Sequence, residues 1–339
     1  MGKLTTHEER VAELRARLSG QVPNRTSRRN NRVAFTRPNP MLTAALHAAS
    51  REVDGVELSP VEVRLVQMLT IFATDQEVAE YGKIYTETKG QAGKGTLSGT
   101  IFSGVALNMN ADTPYTDDDM IADARAMTGD LLAMPENKIL RVYGSAQWSR
   151  KQNDSAFGPK NEIYWAVASG SDRQSQKYFK TPEYGSVESG SQRTLGQEYF
   201  KGGVEEFLAG HIECWEADDS GSGFYRKLVE TLGKISEWCI DAAVKANATD
   251  DWGDEYGSTG KAAAIMALVG ICAGLVSALL DWLTNDDDLV FRREIAFTNS
   301  ALIAWKGANK EMSFIFDGGS QGKHELWMTC YQPIFSLLP

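Results

Sequence analysis

Eight acidic residues in three short segments have the chemistry and the grouping of a calcium site. Calcium binds six to eight oxygen ligands, and proteins usually supply them as carboxylates from neighbouring loops. Each segment lies where a strand is predicted to begin or end, so the three loops could meet at one edge of the fold. The alternative is that acids at strand ends are only solvated turns. The candidate ligands are Asp154, Glu162, Glu216, Asp218, Asp219, Asp286, Asp287 and Asp288.

The elements that would position these acids are strands. After Pro135 the sequence changes to segments that alternate between apolar and polar residues and are separated by Gly, Asp, Asn or Pro. The predicted strands are ILRVYGSAQWS, EIYWAVASGSD, QEYFKGG, HIECWEADDS, LVFRREIAFT, MSFIFDGG and HELWMTCYQP. Residues 224–283 interrupt this series with helical patterns, and without them 136–339 leaves 144 residues, a size suited to one domain. We therefore expect an α+β protein, in which a helical N-terminal region precedes an antiparallel β-sandwich with an inserted helical hairpin.

The acidic segments resemble those of C2-like calcium-binding β-sandwiches over roughly residues 138–339. Members of that class have an aspartate-bearing loop before a strand that begins like DPY, and this chain has Asn161-Glu162-Ile163-Tyr164. They also have an Asp-x-Asp strand end and a later Asp-Asp pair, for which the counterparts are Glu216-Ala217-Asp218 and Asp287-Asp288-Leu289-Val290. Asn161 and Glu216 replace two usual aspartates, which leaves the number of bound ions open. The resemblance implies Ca²⁺-dependent docking onto a membrane surface or a protein partner.

The insertion between the second and third acidic segments begins with an amphipathic helix. Apolar residues recur at three- or four-residue steps from Phe224 to Ala246, and charged residues occupy most of the other face. After a polar turn, an uncharged run from Ala262 to Leu280 would span about 28 Å as a helix, close to the hydrocarbon thickness of a bilayer. The candidate membrane or interface residues are Leu228, Leu232, Ile235, Trp252, Ile265, Leu268, Gly270, Gly274, Leu275, Leu279 and Trp282.

Two interpretations of the apolar run remain open. Gly270 and Gly274 form a GxxxG motif, and Trp252 and Trp282 flank the run as interfacial aromatic residues would. However, nine of its 19 residues are Ala, Gly or Ser, and basic flanks are sparse. We therefore expect a buried helix in the resting protein, which could still act in a membrane after release.

The N-terminal region is basic, whereas the rest of the chain is acidic. Residues 1–40 have a net charge of +6 and the remainder a net charge of −16. We expect a short helix at 6–19, a basic extended arm within 1–40, a mainly helical domain at 41–135, and the sandwich at 136–339. The arm could bind phosphate or an acidic partner, and nucleic acid binding is not expected elsewhere. The basic-arm candidates are Arg25, Arg28, Arg29, Arg32 and Arg37.

Other motifs give little support for catalysis. No HExxH or GxSxG is present, and GQAGKGT lacks the residues of a phosphate-binding loop. The four cysteines predict neither a disulfide framework nor a zinc site, and Cys239 and Cys272 fall in helical patterns as small apolar side chains. The N-terminus lacks the apolar core of a signal peptide, so we expect synthesis in the cytosol and any release by a non-classical route.

Two functions fit these features. The first is a membrane-active or toxin-like protein that docks through calcium-binding loops and uses the helical hairpin at the lipid surface. The second is a structural or assembly subunit of a particle, tail or injection apparatus, in which the arm and hairpin form interfaces. A homo-oligomer is compatible with both functions. An enzyme of unknown type is a third possibility, for which no active-site residues can be named.

Overall fold

The computed structural model describes the chain in several stretches. They are residues 6–19, 39–89, 107, 112–133, 161–173, 176–187, 190, 192–195, 197–205, 207–217, 222–248, 272, 275, 279, 288–318 and 322–330. Within them the backbone of Ile235 and of Asp288 is described but the side chain is not. The predicted basic-arm arginines, from Arg25 to Arg37, lie outside the described residues.

In the described part of the chain, helices come first and strands follow. The helices are α1 (His7–Leu18), α2 (Pro40–Val53), α3 (Pro60–Phe72), α4 (Asp75–Thr88) and α5 (Asp117–Ala133). The next elements are β1 (Asn161–Ser171), β2 (Gln176–Lys180), β3 (Tyr184–Val187), β4 (Phe207–Glu216) and helix α6 (Ser222–Ala248). The last are β5 (Asp288–Thr298), α7 (Asn299–Ala308), β6 (Met312–Asp317) and β7 (Lys323–Met328). Between 41 and 135 most of the described residues are helical.

Helix α2 is the centre of the helical layer. The Asn39 side chain caps its N-terminus, and Pro40 occupies the first turn, where a missing N–H costs nothing. Every residue from Pro40 to Arg51 is buried, so neighbours surround this helix on all sides. Helix α4 approaches it closely: a β-carbon on Gly82 would stand 2.5 Å from the carbonyl oxygen of Ala49.

The start of α3 is also a buried ionic junction. Ser59 and Glu62 form a capping box in which each side chain accepts a bond from the other residue's backbone N–H. The buried carboxylate of Glu62 lies 3.2 Å from the guanidinium of Arg51 in α2. It also accepts a 3.0 Å hydrogen bond from the backbone N–H of Tyr115. Because Arg51 is paired with Asp112 as well, this junction joins α2, α3 and the segment that leads into α5.

Helix α1 confirms the short helix predicted at 6–19 and packs on α4. Its apolar side chains Leu14 and Leu18 are fully buried in the core that the helices share. Its Arg10 donates a 2.6 Å hydrogen bond to Glu77, a buried carboxylate that also forms the capping box of α4 with Thr74. The first part of the N-terminal region is therefore attached to the helical layer by apolar and ionic contacts.

The larger sheet is antiparallel and has five strands. Its order is β2-β1-β4-β5, and β3 pairs with β1 beyond the end of β2. Strands β1 and β4 form the centre, with nine residue pairs from Ile163–Glu216 to Ser171–Leu208. A bulge in β5 interrupts its register with β4 between Cys214 and Trp215. Strands β6 and β7 form a separate antiparallel pair.

The inner face of the larger sheet is the face that packs on the helices. Its apolar side chains belong to one core together with residues of α1 to α6. They are Tyr164, Ala166, Ala168, Phe207, Ala209, Trp215 and Leu289. This shared core crosses the boundary predicted between the helical domain and the strand-rich domain.

The outer face of the sheet packs on the β6–β7 pair. The indole of Trp165 meets the Phe316 ring edge-on, with ring centres 4.7 Å apart, and Phe291 meets the same ring at 6.2 Å. Apolar side chains of both sheets form a second, smaller core here. The α+β class is therefore confirmed, with helices on one side of the larger sheet and a strand pair on the other.

Candidate functional site

Strands β4 and β5 bring two of the candidate calcium ligands to neighbouring positions. Glu216, the last residue of β4, lies opposite Asp288, the first residue of β5. Directly opposed residues in an antiparallel pair have Cβ atoms about 4.5–5.5 Å apart. Glu216 is buried. Burial of the Cys214 thiol raises its pKa, and the negative charge of Glu216 raises that pKa further. Two acidic positions therefore stand together at one end of the sheet.

Glu162 lies near this sheet end but on the other face. Glu216 is opposite Ile163 of β1, so it shares the outer face with Ile163, whereas Glu162 alternates to the inner face. The Glu162 side chain is exposed, and its backbone carbonyl accepts a 2.8 Å bond from the N–H of Ala217. The sheet therefore does not bring the Glu162 and Glu216 side chains to one face.

The other candidate ligands cannot be placed. Within the described residues, no group of three or more His, Cys, Asp or Glu side chains could hold a metal ion. Calcium binding stays a prediction, anchored on the opposed positions of Glu216 and Asp288. The candidates outside the described residues are Asp154, Asp218, Asp219, Asp286 and Asp287.

Helix α6 is present where the amphipathic helix was predicted, and its apolar side is buried. Leu228 and Leu232 are fully buried in the core that includes the inner face of the sheet, together with Trp238 and Ala242. Charged side chains of α6 are exposed on the opposite side, among them Arg226, Glu230, Lys234 and Glu237. The amphipathic pattern therefore reflects packing on the sheet in this structure.

Two side chains of strand β2 hold α6 against the sheet. The Lys180 ammonium lies 3.5 Å from the ring centre of Tyr225 in α6 and 4.6 Å from that of Tyr164 in β1. Tyr178 packs on α6 at Gly233, where a β-carbon would stand 2.8 Å from the ring. Cation–π contacts of this kind contribute about 0.5–2 kcal/mol, depending on desolvation.

The second apolar segment of the insertion is described at three positions. Cys272, Leu275 and Leu279 are helical and buried in the same core as α6. At these positions the buried interpretation of the apolar run agrees with the structure. Among the described residues, no helix is both long enough and apolar enough to cross a membrane. The remaining candidates of this segment, which lie outside the described residues, are Trp252, Ile265, Leu268, Gly270, Gly274 and Trp282.

The cysteines differ from the expectation of small apolar side chains. Cys272 is disulfide-bonded, whereas Cys214 and Cys330 are free thiols. The partner of Cys272 is not among the described side chains. The expectation that Cys272 is a free, small apolar side chain is therefore wrong, because a bond between residues far apart in sequence leaves no signature in local spacing.

Two transverse rows of side chains cross the inner face of the sheet. The Tyr178 row runs over four strands as Tyr178, Ala168, His211 and Glu294. The Lys180 row beside it runs as Lys180, Ala166, Glu213 and Arg292. Each row begins at a β2 side chain that holds α6 and ends in two polar side chains on β4 and β5. We call the four polar residues, His211, Glu213, Arg292 and Glu294, the inner-face cluster.

Two members of the inner-face cluster, His211 and Glu213, are ionisable groups in the interior, whereas Arg292 and Glu294 are 22% and 25% exposed. His211 is 2% exposed and Glu213 is fully buried. Arg292 donates a 2.7 Å hydrogen bond to Glu294, and the Trp215 indole donates a 3.0 Å bond to Glu213. Burial, and then the charge of Arg292, lower the pKa of His211 to about 4, against the opposing effect of Glu294. At neutral pH His211 is therefore a buried neutral imidazole beside an ion pair.

The sequence prediction missed this cluster although a signal was present. His211 and Glu213 alternate within HIECWE, and Arg292 and Glu294 alternate within FRREI. Period-two spacing puts each pair on one face of its strand. That these faces coincide, and that the helices cover them, depends on the register between β4 and β5 and on packing between distant segments.

The acidic strand ends, the base of the insertion and the inner-face cluster all belong to the β4–β5 pair. The insertion leaves the sheet after Glu216 and returns at Asp288, and the cluster lies farther along the same two strands. This part of the fold therefore combines charge with a long inserted segment. No family model matches the chain, and no match was found among curated proteins or solved structures.

Proposed function

We propose that this chain is a membrane-active, toxin-like protein. Its acidic strand ends dock on a target surface with the help of Ca²⁺. The inserted helical segment then leaves the sheet and acts at the lipid surface with its apolar side. The finer fold in this proposal is a β-sandwich formed by the two facing sheets, with a helical hairpin inserted between β4 and β5.

The observation that carries the proposal is the connection between β4 and β5. Neighbouring antiparallel strands need only a turn of a few residues. Here the connection is residues 217–287, 71 residues that begin beside Glu216, end beside Asp288 and include α6. Docking through the strand ends would bring the base of this insertion to the target surface.

The apolar helix surface that such a protein would insert into lipid is present but buried. An amphipathic helix that binds a membrane interface uses an apolar side and a charged side. In α6 the apolar side includes Leu228 and Leu232, both buried, while charged residues occupy the exposed side. Leu275 and Leu279 of the second segment are buried in the same core. Release of the inserted segment from the sheet would expose these apolar side chains together and would allow them to enter the lipid interface.

Calcium has a physical role at the base of the insertion. Carboxylates close together repel one another, and a bound divalent cation removes that repulsion. Glu216 and Asp288 are opposed in the register, and four of the candidate acids adjoin them in sequence, at 218–219 and 286–287. An ion held here would also bridge the chain to anionic lipid headgroups.

Vesicle binding tests the docking step. The full chain would be sedimented with vesicles of phosphatidylcholine and phosphatidylserine in about 1 mM Ca²⁺, the weak end of protein calcium affinities, or in chelator. The double variant Glu216→Gln with Asp288→Asn should lose Ca²⁺-dependent binding. Asp317→Asn, which removes an exposed strand-end acid of β6, is the matched control and should bind normally. Equal binding of wild type in Ca²⁺ and in chelator would contradict docking through calcium.

The assembly function has its own supporting observation. Ile303 of α7 is 62% exposed and Trp327 of β7 is 38% exposed, so two large apolar side chains face solvent in the monomer. Contiguous exposed apolar patches mark protein interfaces, and in an assembly neighbouring copies would cover these two side chains. Light scattering coupled to size exclusion separates the two functions. A stable oligomer that Ile303→Lys dissociates would favour assembly, and a strict monomer would remove it.

A further inference from the structure

The inner-face cluster lies one strand away from the two side chains that contact α6. Its two rows begin at Tyr178 and Lys180, the two β2 side chains that contact α6. Between them and the cluster lie Ala168 and Ala166 of β1, which are buried and whose side chains are single methyl groups. A change of charge on β4 would therefore act on the contacts that hold α6 from across one strand, β1.

The described surroundings of His211 do not stabilise a second proton on its imidazole ring. It is 2% exposed, and its Nε2 atom has no hydrogen-bond partner within the described part of the chain. An imidazolium would place a positive charge and an extra N–H donor in this position. The charge would face the guanidinium of Arg292, and the donor would lack an acceptor, which is costly in the interior.

We propose that His211, together with the Arg292–Glu294 pair, forms an acid-responsive catch that holds α6 on the sheet at neutral pH and releases it in acid. This regulation presupposes the membrane function proposed above. The chemistry needs only protons: His211 gains one in the open state, where water can solvate the imidazolium. The trigger would be the low pH at a target surface or within an acidified compartment.

The charged and titratable neighbours of His211 are known for each described element of the sheet. On its own strand Glu213 is the next residue on the same face, and β5 contributes Arg292 and Glu294. On β1 the neighbours are alanines, and β2 contributes Tyr178 and Lys180 at the far ends of the rows. The buried positions of α6 that the structure describes carry no charge. Of these groups Glu294 and Glu213 carry the negative charge that favours an imidazolium, but Glu294 is already paired with Arg292 and Glu213 already accepts a hydrogen bond from the Trp215 indole.

The direction of the pH effect follows from the His211 pKa. Its value in the closed state, about 4, is below the ordinary 6.5. The closed state is therefore fully stable above pH 6.5 and loses stability as the pH falls from 6.5 towards 4. Linkage between these two values raises the ratio of open to closed protein about 20-fold at pH 5 relative to pH 7.

Exposure of apolar surface without lipid tests the catch separately from the membrane function. Binding of the dye bis-ANS to the full chain would be followed from pH 7.5 to pH 4. Wild type should bind more dye below pH 6, and His211→Gln should lose most of this increase. His324→Gln is the matched control, because His324 is equally buried but lies on the outer face beside Trp165. An unchanged acid response in His211→Gln, or its loss in His324→Gln, would overturn the catch.

Two further variants keep the test decisive if His211→Gln does not fold. Arg292→Gln removes the charge that lowers the His211 pKa, so it should weaken the acid response. Glu294→Gln removes the opposing charge, so it should strengthen the response. Responses that move in the same direction would overturn the catch.

If acid exposes apolar surface but vesicles never bind or leak under any condition, the membrane function fails and the catch stands. If His211→Gln causes vesicle leakage with the same pH profile as wild type, the catch fails and the membrane function stands.

Discussion

The ring of Tyr178 in β2 lies where a side chain at position 233 of α6 would have to be. A β-carbon added to Gly233 would stand 2.8 Å from Cζ of Tyr178 and 2.9 Å from Cε2. Glycine in a helix costs about 1 kcal/mol relative to alanine, but here it lets the ring contact the helix backbone. Tyr178 is still 46% exposed, so α6 rests on the edge of the sheet at this point.

Replacing Gly233 with alanine should loosen α6. The β-carbon would push the Tyr178 ring away, at a cost of about 1–3 kcal/mol for overpacking, partly offset by the helix propensity of alanine. We expect a lower melting temperature and faster proteolysis within α6. Gly307→Ala in α7 is the control, because a β-carbon there meets nothing within 4 Å. Equal effects of the two substitutions on α6 proteolysis would contradict this account of the contact.

Replacing Lys180 with methionine should weaken the same contact by removing the charge but keeping the apolar stem. The ammonium contacts the rings of Tyr225 and Tyr164, so we expect a loss of about 1 kcal/mol, within the range of cation–π interactions. Lys177→Met on the same strand is the control, since its ammonium is paired with exposed Glu198. Thermal unfolding and protease sensitivity of α6 would be compared. A larger effect of Lys177→Met would contradict the role given to Lys180.

The junction at the start of α3 should make Arg51 essential for stability. Arg51→Met would leave the buried carboxylate of Glu62 without its cation, which typically costs about 3–5 kcal/mol. Arg15→Met would remove an ion pair with Glu87 in which both side chains are about half exposed, and it should cost less than about 1 kcal/mol. Urea unfolding midpoints measure the difference. Similar midpoints for the two variants would show that the Arg51–Glu62 pair does not stabilise the helical layer.

The cysteine pairing can be checked by counting thiols. Cys214 and Cys330 are free and Cys272 is disulfide-bonded, so unreduced protein in denaturant should contain two reactive thiols. Reduction should raise the count to four, the number of cysteines in the chain. Cys272→Ser should contain three thiols without reduction, since it frees the partner. Four thiols in unreduced wild type would contradict the disulfide.

Elements with strong local signals could be predicted from the sequence. Ser59 and Pro60 indicate a helix start, and α3 begins at Pro60. Thr116 and the three aspartates that follow predict the start of α5, which begins at Asp117, with Thr116 and Asp119 bonded to each other as a cap. The alternating segments that became β1, β4, β5, β6 and β7 were also predicted correctly, because each has at least one face in an apolar core.

Elements that depend on distant contacts could not be predicted. The segment QEYFKGG alternates like a strand, but residues 197–203 form none. Its carbonyl groups at Tyr199 and Gly203 instead accept hydrogen bonds from the hydroxyl groups of Ser169 and Ser171 on β1. Short strands β2 and β3 were missed because β1 supplies their pairing. Helix α7 was missed although Thr298 caps its first turn, and its buried side chain Trp305 packs on Phe297 of β5.

In the candidate site, too, features with a local signal could be predicted and features that depend on strand register could not. Acids close together in sequence predicted a charged strand end, and Glu216 and Asp288 are opposed there. Sequence could not tell that Glu162 alternates to the other face, because that depends on the register of β1 with β4. The inner-face cluster needed the register between β4 and β5, which no local pattern contains.

Dye release from vesicles tests the central claim most directly. Wild-type protein would be added to dye-loaded vesicles of phosphatidylcholine and phosphatidylserine, with Ca²⁺ or with chelator, at pH 7 and at pH 5. We predict release with Ca²⁺ that is greater at pH 5, and little release in chelator. The double variant Glu216→Gln with Asp288→Asn should release little dye in either condition, while Asp317→Asn should match wild type. Absence of release by wild type with and without Ca²⁺, at both pH values, would contradict the proposed membrane function.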